Sequence, residues 1–154
     1  MLAEPLCTTS WRARPGSFVG LMTLYESNYI RLGWLAVDLR GLAREQRSRV
    51  VDDCELKLTV LERGPYTTML QLTYAFAPAA DGAGWPDAPD LAVRVYHDAR
   101  VAEAHAFGAA ASRPAGRAPV DGGDLGSRWA RNVMLNKWLE YCVDRGHRFG
   151  PALR

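Results

Sequence analysis

After Ser17 the run FVGLMTLYESNYIRLGWL places Phe18, Leu21, Met22, Tyr25, Tyr29 and Leu32 at helical spacing. One apolar stripe at that period predicts an amphipathic helix, with the Ser17 hydroxyl available to cap its first turn. Gly33 weakens the pattern, and Trp34, Leu35, Val37 and Leu39 either extend the helix or start a second short one. The charged run REQRSRVVDD reads as a surface connection. The period then changes to two. Leu56, Leu58 and Val60 alternate with polar residues, as do Thr68, Leu70, Leu72, Tyr74 and Phe76, which predicts two strands joined through Gly64-Pro65. Parity restricts their register, because a one-residue slip would turn every side chain to the wrong face. Pairing Val60 with Thr68, Leu58 with Leu70 and Leu56 with Leu72 satisfies it, with Arg63-Gly64-Pro65 as the turn and Glu62 opposite Tyr66.

A second hairpin is predicted over LAVRVYHDARVAEAHAF, Leu91 to Phe107. Setting Tyr96 opposite Val101 places Val95 by Ala102, Arg94 by Glu103, Val93 by Ala104 and Leu91 by Ala106. One face is then wholly apolar and partly small, as suits a sheet closely covered by a helix. Arg94, Tyr96, Val101, Glu103, His105 and Phe107 take the other face. The Pro/Gly-bearing stretch 77–90 and the low-complexity stretch 108–126 follow neither period and read as mobile loops. The run SRWARNVMLNKWLEYCVDRGHRF returns to helical spacing, with Ser127 or Asp124 as its cap. Met134, Leu135, Trp138, Leu139, Tyr141 and Cys142 form its apolar face, and Gly146 its stop. Residues 1–16 read as a flexible segment and 17–150 as a single domain. Sequential hairpins usually lie side by side, and two amphipathic helices need a surface to cover. The expected fold is therefore α+β and two-layered: an antiparallel meander of about four strands, with the N- and C-terminal helices on one face.

Composition narrows the function classes. Nineteen basic against seventeen acidic residues leave a formal charge of +2, too little to point to nucleic acid as a partner. No apolar run is long enough to span a bilayer, so no membrane partner is expected. The N-terminus carries an acidic residue and a proline where a signal peptide needs its apolar core, which points to the cytosol. Cys7, Cys54 and Cys142 are odd in number and widely spaced, and read as free thiols. No residue set has metal-ligand spacing and no GxGxxG joins a strand to a helix, so no cofactor is expected.

The candidate chemistry gathers on the second hairpin and the tip of the first. His97-Asp98 resembles a dyad in letters, but neighbouring strand residues point to opposite faces, and the pair could cooperate only from a turn. Its structural reading is an Asp capping the turn beside a tolerated His. Arg94 and Glu103 are either a cross-strand ion pair, or an arginine fixed by Glu103 to receive an anionic ligand with the Tyr96 hydroxyl beside it. Glu62 and Tyr66 at the other hairpin end read as a structural contact. Cys54 and Cys142 read as small core residues, and Trp34, Trp129 and Trp138 as core aromatics. Trp85, in the loop, has no evident core role.

The segments LTVLERGPYTTMLQL, LAVRVYHDARVAEAH and NKWLEYC, with YESNYIRL in the first helix, resemble the YqiB-like family of small bacterial proteins, a domain-of-unknown-function family. The resemblance covers roughly residues 17–146 and implies a bacterial cytosolic protein. Without a nucleophile, metal site or phosphate loop, the expected function is a non-catalytic binding or regulatory module. Its expected partners are a protein, a second copy, or an anionic small molecule. The other reading is a small enzyme acting on a nucleotide-like anion, binding through Arg94 and moving protons with His97, Asp98 or Glu103.

Overall fold

Alternating apolar strands and two apolar helices build one sheet and one helical layer. The computed structural model describes residues 16–75, 90–107 and 125–150. Within them the order is α1 (Phe18–Leu35), β1 (Glu45–Ser48), β2 (Leu56–Arg63), β3 (Thr67–Tyr74), β4 (Asp90–Tyr96), β5 (Val101–Phe107) and α2 (Leu125–Arg145). The strands form one five-stranded antiparallel sheet in chain order. The α+β meander is as expected, with one strand more. Most of the segment 1–16, read as flexible, most of the stretches 77–90 and 108–126, read as loops, and Trp85 lie outside the described residues. Asp90 belongs to β4, and Leu125 and Gly126 belong to α2.

The added strand is β1, inside the charged run read as a connection. It is short, and Glu45 and Arg47 share the face of Thr59 and Lys57, with which they pair. Lys57 bonds Glu45 at 3.4 Å, and Arg47 bonds Glu55 at 3.1 Å. A short, charged strand is a usual way to close a sheet edge against further pairing. It has no apolar alternation because only Gln46 and Ser48 turn inward.

The parity of both hairpins holds and their registers differ in detail. Val60 pairs with Leu70 and Leu58 with Leu72, two residues from the expected partners, so the buried set is unchanged. Gly64 donates to the Thr67 carbonyl at 2.8 Å, which sets Pro65 and Tyr66 at the tip, and a bulge between Val60 and Glu62 takes up Leu61. Glu62 consequently faces Met69 rather than Tyr66. In the second hairpin the four pairs from Tyr96–Val101 to Val93–Ala104 are as expected. A bulge at Ala92/Val93 then sets Ala92 against Ala106 and Leu91 against Phe107. The loop closes through Arg100 N–H to the Tyr96 carbonyl at 2.9 Å, with Arg100 left-handed at φ 56°.

The core lies between the sheet face of Leu56, Leu58, Leu70, Leu72, Leu91, Val93, Val95, Ala102 and Ala104 and the helices. α1 contributes Leu32 and Leu35; α2 contributes Leu135, Trp138, Leu139 and Cys142. Leu39, Leu42 and Phe149 complete it from the segments that follow each helix. A smaller cluster of Leu21, Leu24 and Tyr25 packs on Val101, Trp129 and Val133. α1 is capped by Ser17 Oγ, which accepts the Gly20 N–H at 2.9 Å, and runs through Gly33 to Leu35. Its buried side holds Leu21, Leu24, Tyr25, Asn28, Leu32 and Leu35, so Phe18 and Met22 point outward. Trp34, expected in the core, is 56% exposed. α2 begins at Leu125, which removes Ser127 as its cap, and Met134 and Tyr141 lie outside its buried face. Gly146 ends it at φ 95°, where a left-handed residue favours glycine.

Two buried asparagines, Asn28 and Asn132, bond the β5 edge, and a third, Asn136, holds Asn28. Asn132 Oδ1 accepts the Ala104 N–H at 2.7 Å and the Asn28 amide at 3.2 Å, while its own amide donates to the Arg128 carbonyl at 2.8 Å. Asn28 also donates to the Ala102 carbonyl at 3.5 Å and accepts from Asn136 at 3.0 Å. The Ala102 carbonyl and the Ala104 N–H of the edge strand are thus taken by helix side chains. Ala102 and Ala104 are small enough to let the helices come that close. The bonds of Asn28 with Asn132 and Asn136, and of Arg31 with Glu140 at 3.1 Å, show the two helices running in the same direction.

Candidate functional site

The strand registers carry several of the proposed site residues to one place. Glu62 faces Met69, Met69 faces Arg94, and Arg94 faces Glu103. These four make a single transverse row on the sheet face away from the core. With neighbouring strands about 4.8 Å apart, the row spans roughly 14 Å. Tyr96 lies in the next row, beside Thr67 and Val101. Tyr66 sits apart at the first hairpin tip, 64% exposed.

Arg94 and Glu103 are cross-strand partners, yet no ion pair joins them. Glu103 instead accepts the Tyr25 hydroxyl from α1 at 3.0 Å. Arg94 Nε is buried without a hydrogen-bond partner. Burial, and then the Glu103 charge, push the Tyr25 phenol well above its ordinary range. The same two causes raise Tyr96, against the pull of the Arg94 guanidinium. Both phenols therefore stay protonated at neutral pH and can donate.

His97 and Asp98 separate. The His97 ring is buried on the core side, its Nε2 2.8 Å from Thr68 Oγ1, and its backbone N–H donates to the Tyr66 carbonyl at 2.9 Å. Burial pushes its pKa below the ordinary histidine value, and Arg40 and Arg63 add to this while Asp98 opposes it. A neutral imidazole follows. The Asp98 carboxylate is exposed and meets Arg40 at 3.4 Å rather than its own turn backbone. Neither side chain shares a face with Arg94.

One polar constellation has no counterpart in the sequence reading. His147 lies with Nε2 2.9 Å from Asp53 Oδ2 and Nδ1 3.0 Å from Ser48 Oγ. Ser48 Oγ also accepts the Arg148 N–H at 3.0 Å. The Nε2 proton donates to the Asp53 carboxylate, and the direction of the Nδ1–Ser48 bond follows the state of the ring. Tyr74 and Tyr141 add hydroxyl donors to Asp53 at 3.3 and 3.5 Å. Burial alone would raise the Asp53 carboxyl. The hydrogen bond from His147, the Cys54 N–H and Tyr74 outweigh it and hold the group below its ordinary value. The residue types match a Ser-His-Asp triad, but Ser48 and His147 are buried and every polar atom is engaged. The constellation pins His147 and Arg148 to β1, while the Phe149 N–H bonds the Leu35 carbonyl at 2.8 Å. Ser48 and His147 lie 99 residues apart and Asp53 and His147 94, so only the fold brings them together.

Cys142 is buried and its thiol is pushed up to about 12, chiefly by burial. Cys54 is exposed rather than in the core. Among the described residues no group of three or more His, Cys, Asp or Glu is placed to hold a metal ion. None of the described helices is long and apolar enough to cross a membrane.

No curated protein and no solved structure matches the chain. A family model, described as a protein of unknown function (DUF1249), matches residues 31–148, from the second half of α1 through the His147 anchor. The chain belongs to that DUF1249 family.

Proposed function

We propose that the protein is a binding module that takes an anionic group on the sheet face away from the core, with Arg94 as its anchor and no chemistry of its own. The observation that carries this is the unpartnered, buried Nε of Arg94 beside a Glu103 that is held by Tyr25. Leaving a buried donor unmade costs about 1–3 kcal/mol, and an incoming carboxylate or phosphate recovers it through a bidentate fork. Glu62 and Glu103 at the ends of the row favour a ligand whose charge is central and whose flanks carry hydroxyl or amino donors. Nucleotide-like and amino-acid-like anions have that layout. The separation of His97 from Asp98 and the enclosure of Ser48 support a role without catalysis. The resemblance to YqiB-like proteins supports a place in the bacterial cytosol.

The test is a thermal-shift screen of nucleotides and small anionic metabolites against the native chain and Arg94→Met. A specific stabilising anion whose effect disappears in the variant is the expected result. Equal stabilisation of both chains would sink the proposal.

A further inference from the structure

α1 is apolar on two sides, and only one of them is covered. Phe18, Met22, Ile30 and Trp34 are exposed along the ridge 18-22-26-30-34, with Glu26 at its centre and Val19 and Gly33 beside it. The exposures are 65% for Phe18, 37% for Met22, 53% for Ile30 and 56% for Trp34. At the usual ~150–250 Å² for an aromatic side chain, the stripe presents on the order of 500 Å². Patches of that size on a monomer are commonly interaction sites.

The order of residues along the stripe says what covers it. Phe18 and Trp34 stand eight residues to either side of Glu26, Met22 and Ile30 four, and Val19 and Gly33 seven. The pattern reads the same from both ends. A two-fold interface sets a surface against itself, so it requires this kind of self-complementarity. We propose that the exposed face of α1 is the interface of a homodimer, in which two α1 helices pack antiparallel about Glu26. Ridges of i±4 residues from both helices lie parallel when the axes cross near −50°, the commonest helix packing. Phe18 then meets the partner copy's Trp34, and Met22 its Ile30. Val19 fits over Gly33, where the space a Cβ would fill is open.

The anchor is already set in place. Arg31 stacks on Trp34 at 5.8 Å and is itself held by Glu140 at 3.1 Å. A restrained Trp is the kind of residue that carries interface energy. A standard interface takes about 800 Å² from each partner, so the stripe supplies the centre, and Thr23 and Tyr29 part of the rim. Glu26 facing its own copy is the one repulsive element. It keeps association modest.

Sedimentation equilibrium on the full chain tests the interface. The native chain self-associates at micromolar concentration, and Ile30→Glu/Trp34→Glu is monomeric with an unchanged far-UV spectrum, since both side chains are exposed. Glu26→Gln dimerises roughly twofold more tightly once the like charges are gone. With Cys7 and Cys54 replaced by serine, Glu26→Cys forms a disulfide-linked dimer on oxidation, because position 26 lies on the axis. A chain monomeric at hundreds of micromolar, a dimer indifferent to the double substitution, or no cross-link at position 26 would each overturn the proposal.

Discussion

Asn132→Ala removes the residue on which the β5 edge depends. In the native chain Asn132 Oδ1 receives two donors, the Ala104 N–H at 2.7 Å and the Asn28 amide at 3.2 Å. The residue is wholly buried, so no water replaces it. The variant leaves the Ala104 N–H without an acceptor, and the Asn28 amide N–H groups with only the long bond to the Ala102 carbonyl at 3.5 Å. One orphaned buried donor costs about 1–3 kcal/mol, and a second, partly satisfied one brings the expected loss to about 2–4 kcal/mol. For a domain of this size that lowers Tm by roughly 5–15 °C. Urea unfolding gives the free energy, and amide exchange gives the location: the Ala104 amide passes from slow to fast exchange. Asn28→Ala combined with Asn132→Ala should cost less than the sum of the two, because they share a bond. A loss under about 0.5 kcal/mol, or strict additivity, would refute the edge-sealing account.

Acid lowers stability in two steps. His97 has a folded pKa below its ordinary 6.5. The unfolded chain therefore takes up the proton first, and stability falls as pH drops from about 6.5 through the folded value. Asp53 is held below its ordinary 3.8, so its contribution is complete above that value and is lost as pH falls through the lower one. His97→Gln should flatten the first step alone; urea midpoints that ignore this substitution would count against it. Asp53→Ala strips His147 of its acceptor, with an expected loss of about 1.5–3 kcal/mol in denaturant unfolding. A thiol reagent followed by peptide mapping should modify exposed Cys54 and spare Cys142 until the chain unfolds; early labelling of Cys142 would contradict its burial.

The sheet was legible wherever side chains alternate. Val93, Val95, Ala102 and Ala104 define a face that admits one parity, and the register between them follows until the bulge at Ala92/Val93. The first hairpin slipped by two because parity cannot tell a tight turn from one lengthened by a bulge at Leu61. β1 was invisible: a strand whose outward residues are Glu45 and Arg47 and whose inward ones are Gln46 and Ser48 has no apolar period. In α1 the stripe was rotated, because a helix apolar on both sides gives spacing no power to choose. Asn28, a polar residue, was the true mark of the buried side. The open-face row was partly legible, since Arg94–Glu103 follows from hairpin parity, whereas Glu62 joins it only through the bulge. Ser48, Asp53 and His147 could not have been joined, because nothing local relates residues so distant in the chain.

Both sheet edges are guarded, β1 by its charges and β5 by asparagines on the Ala102 carbonyl and the Ala104 N–H, which disfavours strand addition. On the outer sheet face the state of Arg94 depends on a helix. Tyr25 holds Glu103 from α1, and without that bond the carboxylate would turn toward its cross-strand neighbour Arg94. Tyr25→Phe therefore supplies an internal competitor for any anion at Arg94. A cross-strand ion pair is worth about 0.2–1 kcal/mol, so anion binding should weaken about 1.5- to 5-fold without any ligand contact being removed. Loss of one net hydrogen bond should cost only about 0.5–1.5 kcal/mol of stability. The structural part is visible without ligand: in nitrogen-edited spectra the Arg94 Nε–H resonance should shift in Tyr25→Phe and return in Tyr25→Phe/Glu103→Gln. If that resonance does not move, Tyr25 does not keep Glu103 from Arg94, and the unpartnered Nε owes its state to the sheet alone.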